Sequence, residues 1–485
     1  MPVLILLVAC VTIKAQERPN IVFCLADDWG WPHAGAYGDN GVKTPNFDRI
    51  AKTGILFNNA FVSSPSCTPS RNAFITGKQY WQLGPGANLW STLPEEQDSF
   101  IHLLRNSGYR IGRTEAKTWG PGKLDDWIAY HGDHPSGTAY QTFTDFLNAS
   151  GNRDEKPFFF WLGTADPHRP YEKGSGKRSG IDPSKVHLYG HFPDNDVVRN
   201  DVADYYYEVQ RWDSLVGTVI AELEKRGILE NTIIIMSGDH GMPFPRGKGN
   251  LYDSGTHVPF ALCWGSQVSR DRKVDDFISF SDIAPTLLEA AGVEVPEDMT
   301  GRSFMNILGG TGSGLLDPGN RSQVVFGRER HTPAQESPNM AGYPSRGYRN
   351  ESYLYIRNYE PDLWPAGTGS TNTNLPGQWY ADCDGGPTKD FIIENKDAND
   401  ECALAYQLSF AKRPAEELYD LKKDPEQLHN LVAEKSYEKI LIELEGKLQQ
   451  KLISLNDPRA KEPHYRGFDR YPYYGGGGGK REHSQ

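Results

Sequence analysis

Two pairs of ligand-type side chains follow apolar runs: Asp27-Asp28 after NIVFCLA and Asp239-His240 after NTIIIMSG. Adjacent carboxylates at one strand end repel each other unless a cation lies between them. Three carboxylates and few thiols favour a hard ion, calcium or magnesium. The histidine leaves manganese and zinc open. Between the pairs lies SSPSCTPSRNAFITG, residues 63–77, with Cys67 just ahead of an expected helix start. Thr68 is the expected N-cap, Pro69 the first helical residue and Gly77 the stop. Backbone N–H groups and the dipole at such a start favour an anion. Arg71, a turn further on, adds a charge-assisted fork for an oxyanion. Lys117 (in TEAKTWG), His168 (in DPHRP) and Lys248 (in RGKGNLY) supply two more anion partners and an acid. Taken alone, each of these residues reads first as a solvated turn, a surface lysine or a loop histidine. Two pairs after two apolar strands, with one oddly placed cysteine, point to metal-assisted chemistry on an anion.

The elements that must hold these groups are also legible. The runs 20–26, 156–163, 231–238 and 258–264 read as buried strands. The segment Val198–Gly227 carries Val202, Tyr206, Val209, Leu215, Val219 and Leu223 at helical spacing. Such alternation predicts an α/β fold, a mainly parallel sheet sandwiched by helices. Chemistry then belongs on loops beyond the carboxyl ends of strands, where DDWG, TADPHRP and GDHG lie. Beyond about residue 345 the texture turns to Tyr, Asn, Pro and Gly. The expected division is a catalytic domain over 16–345, a smaller C-terminal α+β subdomain over 346–465 and a flexible tail over 466–485. A final helix is expected over roughly 433–455.

The chain has 485 residues and a net charge of −12, which argues against general attraction to nucleic acid. MPVLILLVACVTIKA, residues 1–15, reads as a signal peptide cleaved after Ala15, giving an exported protein, periplasmic or secreted. Leu7-Val8-Ala9-Cys10 also fits a lipoprotein box, anchoring through Cys10. No later segment is apolar for the ~20 residues that a membrane span needs. Six cysteines are too few for a disulfide scaffold. Cys24 and Cys263 read as small buried hydrophobes. Cys383 and Cys402 are close in sequence within a polar region, and export permits a disulfide between them without requiring one.

CTPSRNAFITG (67–77) resembles the signature of the type I, formylglycine-dependent sulfatases: Cys-x-Pro-Ser-Arg, then Thr-Gly. NIVFCLADDWG, the DPHRP loop, SGDHG and GKGNLYDSGTHVPF are similar to that family's other blocks, in order, over about residues 18–440. The resemblance implies an alkaline-phosphatase-like fold and oxidation of Cys67 to 3-oxoalanine (formylglycine) by a formylglycine-generating maturase. One hydroxyl of the hydrated aldehyde attacks sulfur, and the other collapses to expel sulfate. It further implies one Ca2+ held by Asp27, Asp28, Asp239, His240 and residue 67. Arg71, Lys117 and Lys248 match positions that steady the nucleophile and the sulfate. His168 matches the histidine that protonates the leaving atom or contacts the sulfate. There are two departures. Many members carry a histidine one or two residues after the lysine matched by Lys117, where Thr118, Trp119 and Gly120 stand. His240 stands where asparagine is commoner.

FFFWLGTADPHRP, MPFPRGKGNLYDSGT and Tyr343-Pro344-x-Arg346 resemble the heparan N-sulfatase (sulfamidase) members of that family. The resemblance implies a terminal sulfated sugar as substrate, N-sulfated glucosamine or an O-sulfated unit of another polysaccharide. Trp119, Arg169, Arg328, His331 and Arg346 are the expected sugar contacts. Two alternatives stand beside this reading. One is a phosphate or phosphonate ester hydrolase of the same superfamily, and the other an inactive relative that only binds sulfated glycan.

Overall fold

The uncharged runs NIVFCLA and TIIIMSG form neighbouring strands buried on both faces, as a sheet covered by helices on each side requires. The computed structural model describes residues 18–149, 156–375 and 377–475. The expected signal peptide with Cys10, and residues 476–485 of the expected tail, lie outside the described residues; residues 466–475 of that tail are described, and Phe468 there is buried in the core beneath the small sheet. In chain order the large sheet contains β1 (Asn20–Ala26), β2 (Ile55–Phe57), β3 (Arg110–Thr114), β4 (Thr138–Tyr140), β5 (Phe158–Gly163), β6 (Thr232–Gly238), β7 (Phe260–Cys263) and β8 (Arg272–Val274). Their spatial order is β8-β2-β7-β6-β1-β5-β3-β4. Only β7 runs against the others, so the mainly parallel sheet is as expected.

Side chains of β1 alternate between two cores, as the period of two along a strand dictates. Val22, Cys24 and Ala26 join one, with Val202, Tyr206 and Trp212. Ile21, Phe23 and Leu25 join the other, with Phe74, Ile75 and Trp161. The helices used below are α1 (Pro45–Thr53), α2 (Cys67–Thr76), α3 (Asp196–Lys225), α4 (Pro387–Glu394), α5 (Asp400–Phe410) and α6 (Glu438–Ser454). In α3 the expected face needs one correction: Leu215 is 38% exposed. Trp212 and Val216 carry the packing there, because they continue the spacing set by Val202, Tyr206 and Val209.

A second, antiparallel sheet contains β9 (Gln323–Arg328), β10 (Ser345–Asn350), β11 (Tyr353–Asn358) and β12 (Glu416–Asp420), in that order. Leu444, Leu448 and Leu452 of α6 pack against it. This sheet opens at Gln323, ahead of the boundary expected at 345, because β9 and β10 pair along their whole length. The chain after 345 also serves two cores. Ile392, Ile393, Ala405 and Phe410 of α4 and α5 join the core of the large sheet rather than the small one. Cys383 and Cys402 are both buried and free, so no disulfide joins them. Among the described residues no helix is long and apolar enough to cross a membrane.

Candidate active site

Strand register brings the chemistry together. Leu25 lies opposite Gly163 and Ala26 opposite Gly238, so the loops after β1, β5 and β6 leave the sheet side by side. The ladder runs one residue further: Asp27 N donates to the Asp166 carbonyl and Asp239 N to the Ala26 carbonyl, both at 3.1 Å. Asp28 has φ 76°, the left-handed region that non-glycine residues seldom adopt. That turn lets its N–H donate to Asp239 Oδ1 at 2.9 Å. Asp27, Asp28, Asp239 and His240 are all fully buried.

Cys67 meets them from the first turn of α2. The helix starts at Cys67 with Ser66 in the N-cap position, two residues earlier than expected. Thr68 does not cap it; its hydroxyl donates to the Pro121 carbonyl at 2.6 Å. Pro69 is still accommodated, because first-turn N–H groups have no helical partner. Gly77 ends the helix as expected, at φ 65°. The ligand atoms of Asp28, Cys67 and His240 lie within 4.8 Å of one another, as do those of Asp27, Cys67 and Asp239.

Three ligand-type atoms converge on one point here. His240 Nδ1 contacts the Gly241 carbonyl at 3.0 Å, and since a carbonyl only accepts, Nδ1 carries the hydrogen. In that tautomer Nε2 accepts from the Cys67 thiol at 3.2 Å and lies 3.2 Å from Asp28 Oδ1. Asp28 Oδ1 is buried and makes no hydrogen bond. Lys248 Nζ lies 3.1 Å from it, and its hydrogen bond, at 3.2 Å, goes to Oδ2. A cation among these atoms would relieve the contact, so the residues fit a metal ion. The mix of carboxylates and one imidazole suits a hard or borderline divalent ion.

The two adjacent carboxylates differ sharply. Burial alone would raise both. In Asp27, Arg71 and Lys117 outweigh burial and hold the carboxyl well below its usual range. In Asp28 burial prevails over Lys248, His168 and His240, and the carboxyl is pushed up. Burial also pushes the Cys67 thiol up; Lys248 opposes this, and the surrounding carboxylates reinforce it. A buried, protonated thiol among carboxylates is a poor nucleophile as it stands.

Arg71 was expected to grip an oxyanion, and its geometry is different. Its guanidinium is buried and donates to Asp239 Oδ2 at 2.9 Å, Asp27 Oδ1 at 3.0 Å and the Thr118 carbonyl at 2.7 Å. It fixes two carboxylates and ties them to the loop that carries Lys117. Lys117 Nζ donates to Asp27 Oδ2 at 2.5 Å, and its side chain is 41% exposed. Lys248, almost fully buried, is shared between Asp28 and Asp384 Oδ2, the latter at 3.0 Å. Burial opposes its charge, but these carboxylates hold its pKa well above the ordinary lysine value. His168 contacts the Arg169 carbonyl through Nδ1, leaving Nε2 directed at the site, 3.9 Å from Asp28 Oδ2.

The positions after Lys117 have packing roles. A Cβ on Gly163 would lie 2.0 Å from the Lys117 carbonyl oxygen, and one on Gly120 would lie 2.5 Å from Thr68 Cα. The loop is therefore pressed between β5 and α2. Trp119, an expected sugar contact, is buried and donates to Asn72 Oδ1 at 2.6 Å. Three arginines expected to touch sugar are engaged elsewhere. Arg169 forms a two-pronged pair with Asp201 at 2.8 and 2.7 Å. Arg328 pairs with Asp382 at 2.5 Å. Arg346 pairs with Glu329 and Asp457. All three are buried, and their planar forks are directed at carboxylates inside the protein. His331 is the exception. Its Nδ1 lies 2.8 Å from Ser66 Oγ, next to Cys67. Burial, then Lys248 and Arg328, lower its pKa strongly and keep it neutral.

Sequence reading missed Ser66 and Asp384. Asp384 lies in ADCDGGP, whose only local sign is an acid ahead of two glycines. Its position in the site depends on the path of the chain after β11.

Comparison with known proteins gives the family. The family model described as Sulfatase matches residues 19–293. The chain belongs to the sulfatase family. It is a hydrolase of sulfuric esters, and the match spans β1, α2, β5 and β6 with their loops. An ulvan-active sulfatase of Formosa agariphila is 29% identical over 436 residues, 88% of this chain and 78% of the relative. The human N-sulphoglucosamine sulphohydrolase is 27% identical over 482 residues, 92% of each chain. A solved protein in complex with its substrate D-glucosamine-2-N,6-O-disulfate superposes with TM-score 0.63, at 20% identity, over 92% of this sulfatase and 100% of that chain. The phosphonate monoester hydrolase of Agrobacterium radiobacter superposes with TM-score 0.62, at 18% identity, over 90% of this chain and 95% of that one. At such identities the superpositions establish the fold, an alkaline-phosphatase-like sheet with a small antiparallel sheet beside it.

Proposed function

We propose that this sulfatase removes an N- or O-linked sulfate from a terminal sulfated sugar, using formylglycine made from Cys67 and one calcium ion. The observation that carries the reading is the convergence of Cys67 Sγ, His240 Nε2 and the buried Asp28 Oδ1, an oxygen that makes no hydrogen bond, at 3.2 Å about Nε2. The relatives named for N-sulfoglucosamine and ulvan support the sugar class.

Asp27, Asp28, Asp239, His240 and residue 67 would hold the ion. Bound there, calcium supplies a Lewis acid and the hydrated aldehyde supplies the attacking oxygen. Arg71 orients the Asp27 and Asp239 carboxylates. Lys117 and Lys248 carry the positive charge that meets the sulfate oxygens. His168 Nε2 is aimed into the site, where a proton for the leaving atom is needed. Ser66 and His331 steady the backbone at residue 67. Export to the periplasm or beyond, and contact with a formylglycine-generating maturase, belong to the same reading.

The test is mass spectrometry of the peptide spanning residues 63–78 after co-expression with an active maturase. Conversion of thiol to aldehyde lowers the mass by roughly 18 Da. Sulfate release is then measured on N-sulfated glucosamine and on O-sulfated sugars. An unmodified thiol beside a maturase of proven activity would overturn the reading.

A further inference from the structure

The pocket contains a fourth carboxylate that the site's own chemistry does not call for. Asp384 Oδ2 accepts from Lys248 Nζ at 3.0 Å. Its ligand atom lies within 4.8 Å of those of Asp28 and His168. Its side chain is 26% exposed, close to His168 at 27%, whereas Asp28 is fully buried. Asp384 therefore stands at the mouth, on the side of His168. It is also held firmly. Next to it the Asp382 carboxylate is fixed by Arg328 and by Thr332, whose N–H and hydroxyl donate at 2.8 and 2.6 Å. The Cys383 carbonyl accepts from Lys389 Nζ at 2.7 Å. Burial would raise the Asp384 carboxyl, but Lys248 and His168 outweigh it and hold it far below the usual range.

The charges can be counted with the histidines left out. Asp27, Asp28 and Asp239 balance Arg71, Lys117 and Lys248. A divalent ion would leave two positive charges, which suits a dianion. Asp384 reduces this to one, which suits a monoanion. A sulfate ester is a monoanion, and hydrolysis makes its product more negative: ROSO3− + H2O gives ROH + SO4 2− + H+. For an N-linked sulfate, RNHSO3− + H2O gives RNH3+ + SO4 2−. In both cases the substrate carries one charge and the released sulfate two.

We propose that Asp384 selects by charge. It lowers the affinity of the pocket for doubly charged tetrahedral anions more than for singly charged ones. This favours release of sulfate and excludes phosphate monoesters. Asp384 acts through Lys248 and the field at the mouth, so it is a selectivity residue rather than a catalytic one. The inference rests on the proposed function of the same site.

The test uses two tetrahedral sulfur anions of similar size, sulfamate with one charge and inorganic sulfate with two. Binding is measured by calorimetry at fixed ionic strength. The protein is the calcium-loaded chain with Cys67 unmodified, so no turnover intervenes. In Asp384→Asn the affinity for sulfate relative to sulfamate should rise roughly tenfold, as expected for one unit charge removed near a partly exposed site. Asp384→Ser should show the same rise, and Asp384→Glu should keep the wild-type ratio. An unchanged ratio in both neutral variants overturns charge selection while leaving the proposed function intact, even if both anions bind more weakly. Failure of the wild type to bind either anion overturns the reading of the pocket and the inference with it.

Discussion

Two buried arginines in this protein each span two carboxylates, and one of them lies in the candidate active site. Arg71 bridges Asp27 and Asp239 at 3.0 and 2.9 Å. Arg346 bridges Glu329 and Asp457 at 2.8 and 2.5 Å. Burial and geometry do not separate the two. Their neighbours do. Around Arg346 the charges close on themselves, because Arg459 takes the other side of Glu329 at 2.7 Å. Around Arg71 they do not close: with Asp384 counted, four carboxylates face three cations, and Asp28 presents a buried oxygen that makes no hydrogen bond, 3.2 Å from His240 Nε2. A balanced network holds the small sheet to the chain near residue 457. An unbalanced one awaits a ligand. Imbalance, more than ion pairing itself, marks the site.

The largest expected effect comes from removing the group that the unbalanced network surrounds. Cys67→Ala should lower sulfate release by more than roughly 10⁴-fold, as for a nucleophile whose partners remain in place. Its urea midpoint should stay near that of the wild type. Activity surviving at a tenth of wild type would detach Cys67 from the chemistry. The two arginines come next. Arg346→Met leaves Glu329 and Asp457 short of a partner and should cost about 3–5 kcal/mol of stability. The kcat of the folded fraction should hold. Arg71→Met should lower kcat by roughly 100-fold or more, since it frees two carboxylates in the site. If both variants lose kcat alike while folded, the distinction between the networks fails.

The two networks also differ in how far the sequence revealed them. The strands that carry Asp27 and Asp239 are apolar runs ending in acids, and parallel neighbours place such ends together; both facts are local. Cys67 and Arg71 stand out through their own helix start. Arg346, by contrast, was expected at the sugar as a cation in a block that resembles glycan-processing relatives, and Arg328 was expected there with it. Their acids, Asp457 and Asp382, lie 111 and 54 residues away, a distance that no local pattern bridges. Asp384 was invisible for the same reason. It lies just ahead of α4, which with α5 packs on the large sheet. Thr68 was misread as a cap because the Pro121 carbonyl that holds its hydroxyl lies 53 residues away.

A smaller effect sharpens the comparison from the ligand side. Calcium should raise the melting temperature in a concentration-dependent way, adding about 2.7 kcal/mol at a hundred times its dissociation constant. Asp28→Asn should abolish that gain, and Arg346→Lys should leave it intact. Calorimetric scans with calcium and with chelator measure both. A gain that persists in Asp28→Asn would place the ion elsewhere.

The smallest effect is a pH dependence of the balanced network. Burial would raise the Glu329 carboxyl, but Arg459 and Arg346 outweigh it and hold its pKa below the usual value. A carboxylate depressed in the folded state adds stability that is fully present above its unfolded pKa of about 4.3. That stability is lost as pH falls from there through the folded value. Glu329→Gln lacks the contribution at every pH, so its deficit against the wild type should be largest near neutrality and shrink below about pH 4.3. Other acids titrate alike in both proteins and cancel in the difference. Urea midpoints at pH 7 and pH 3.5 decide the matter. A deficit that stays constant would mean that shape rather than charge holds Arg346 and Arg459 in place. The two networks would then differ in kind, one packed and one electrostatic, and not merely in balance.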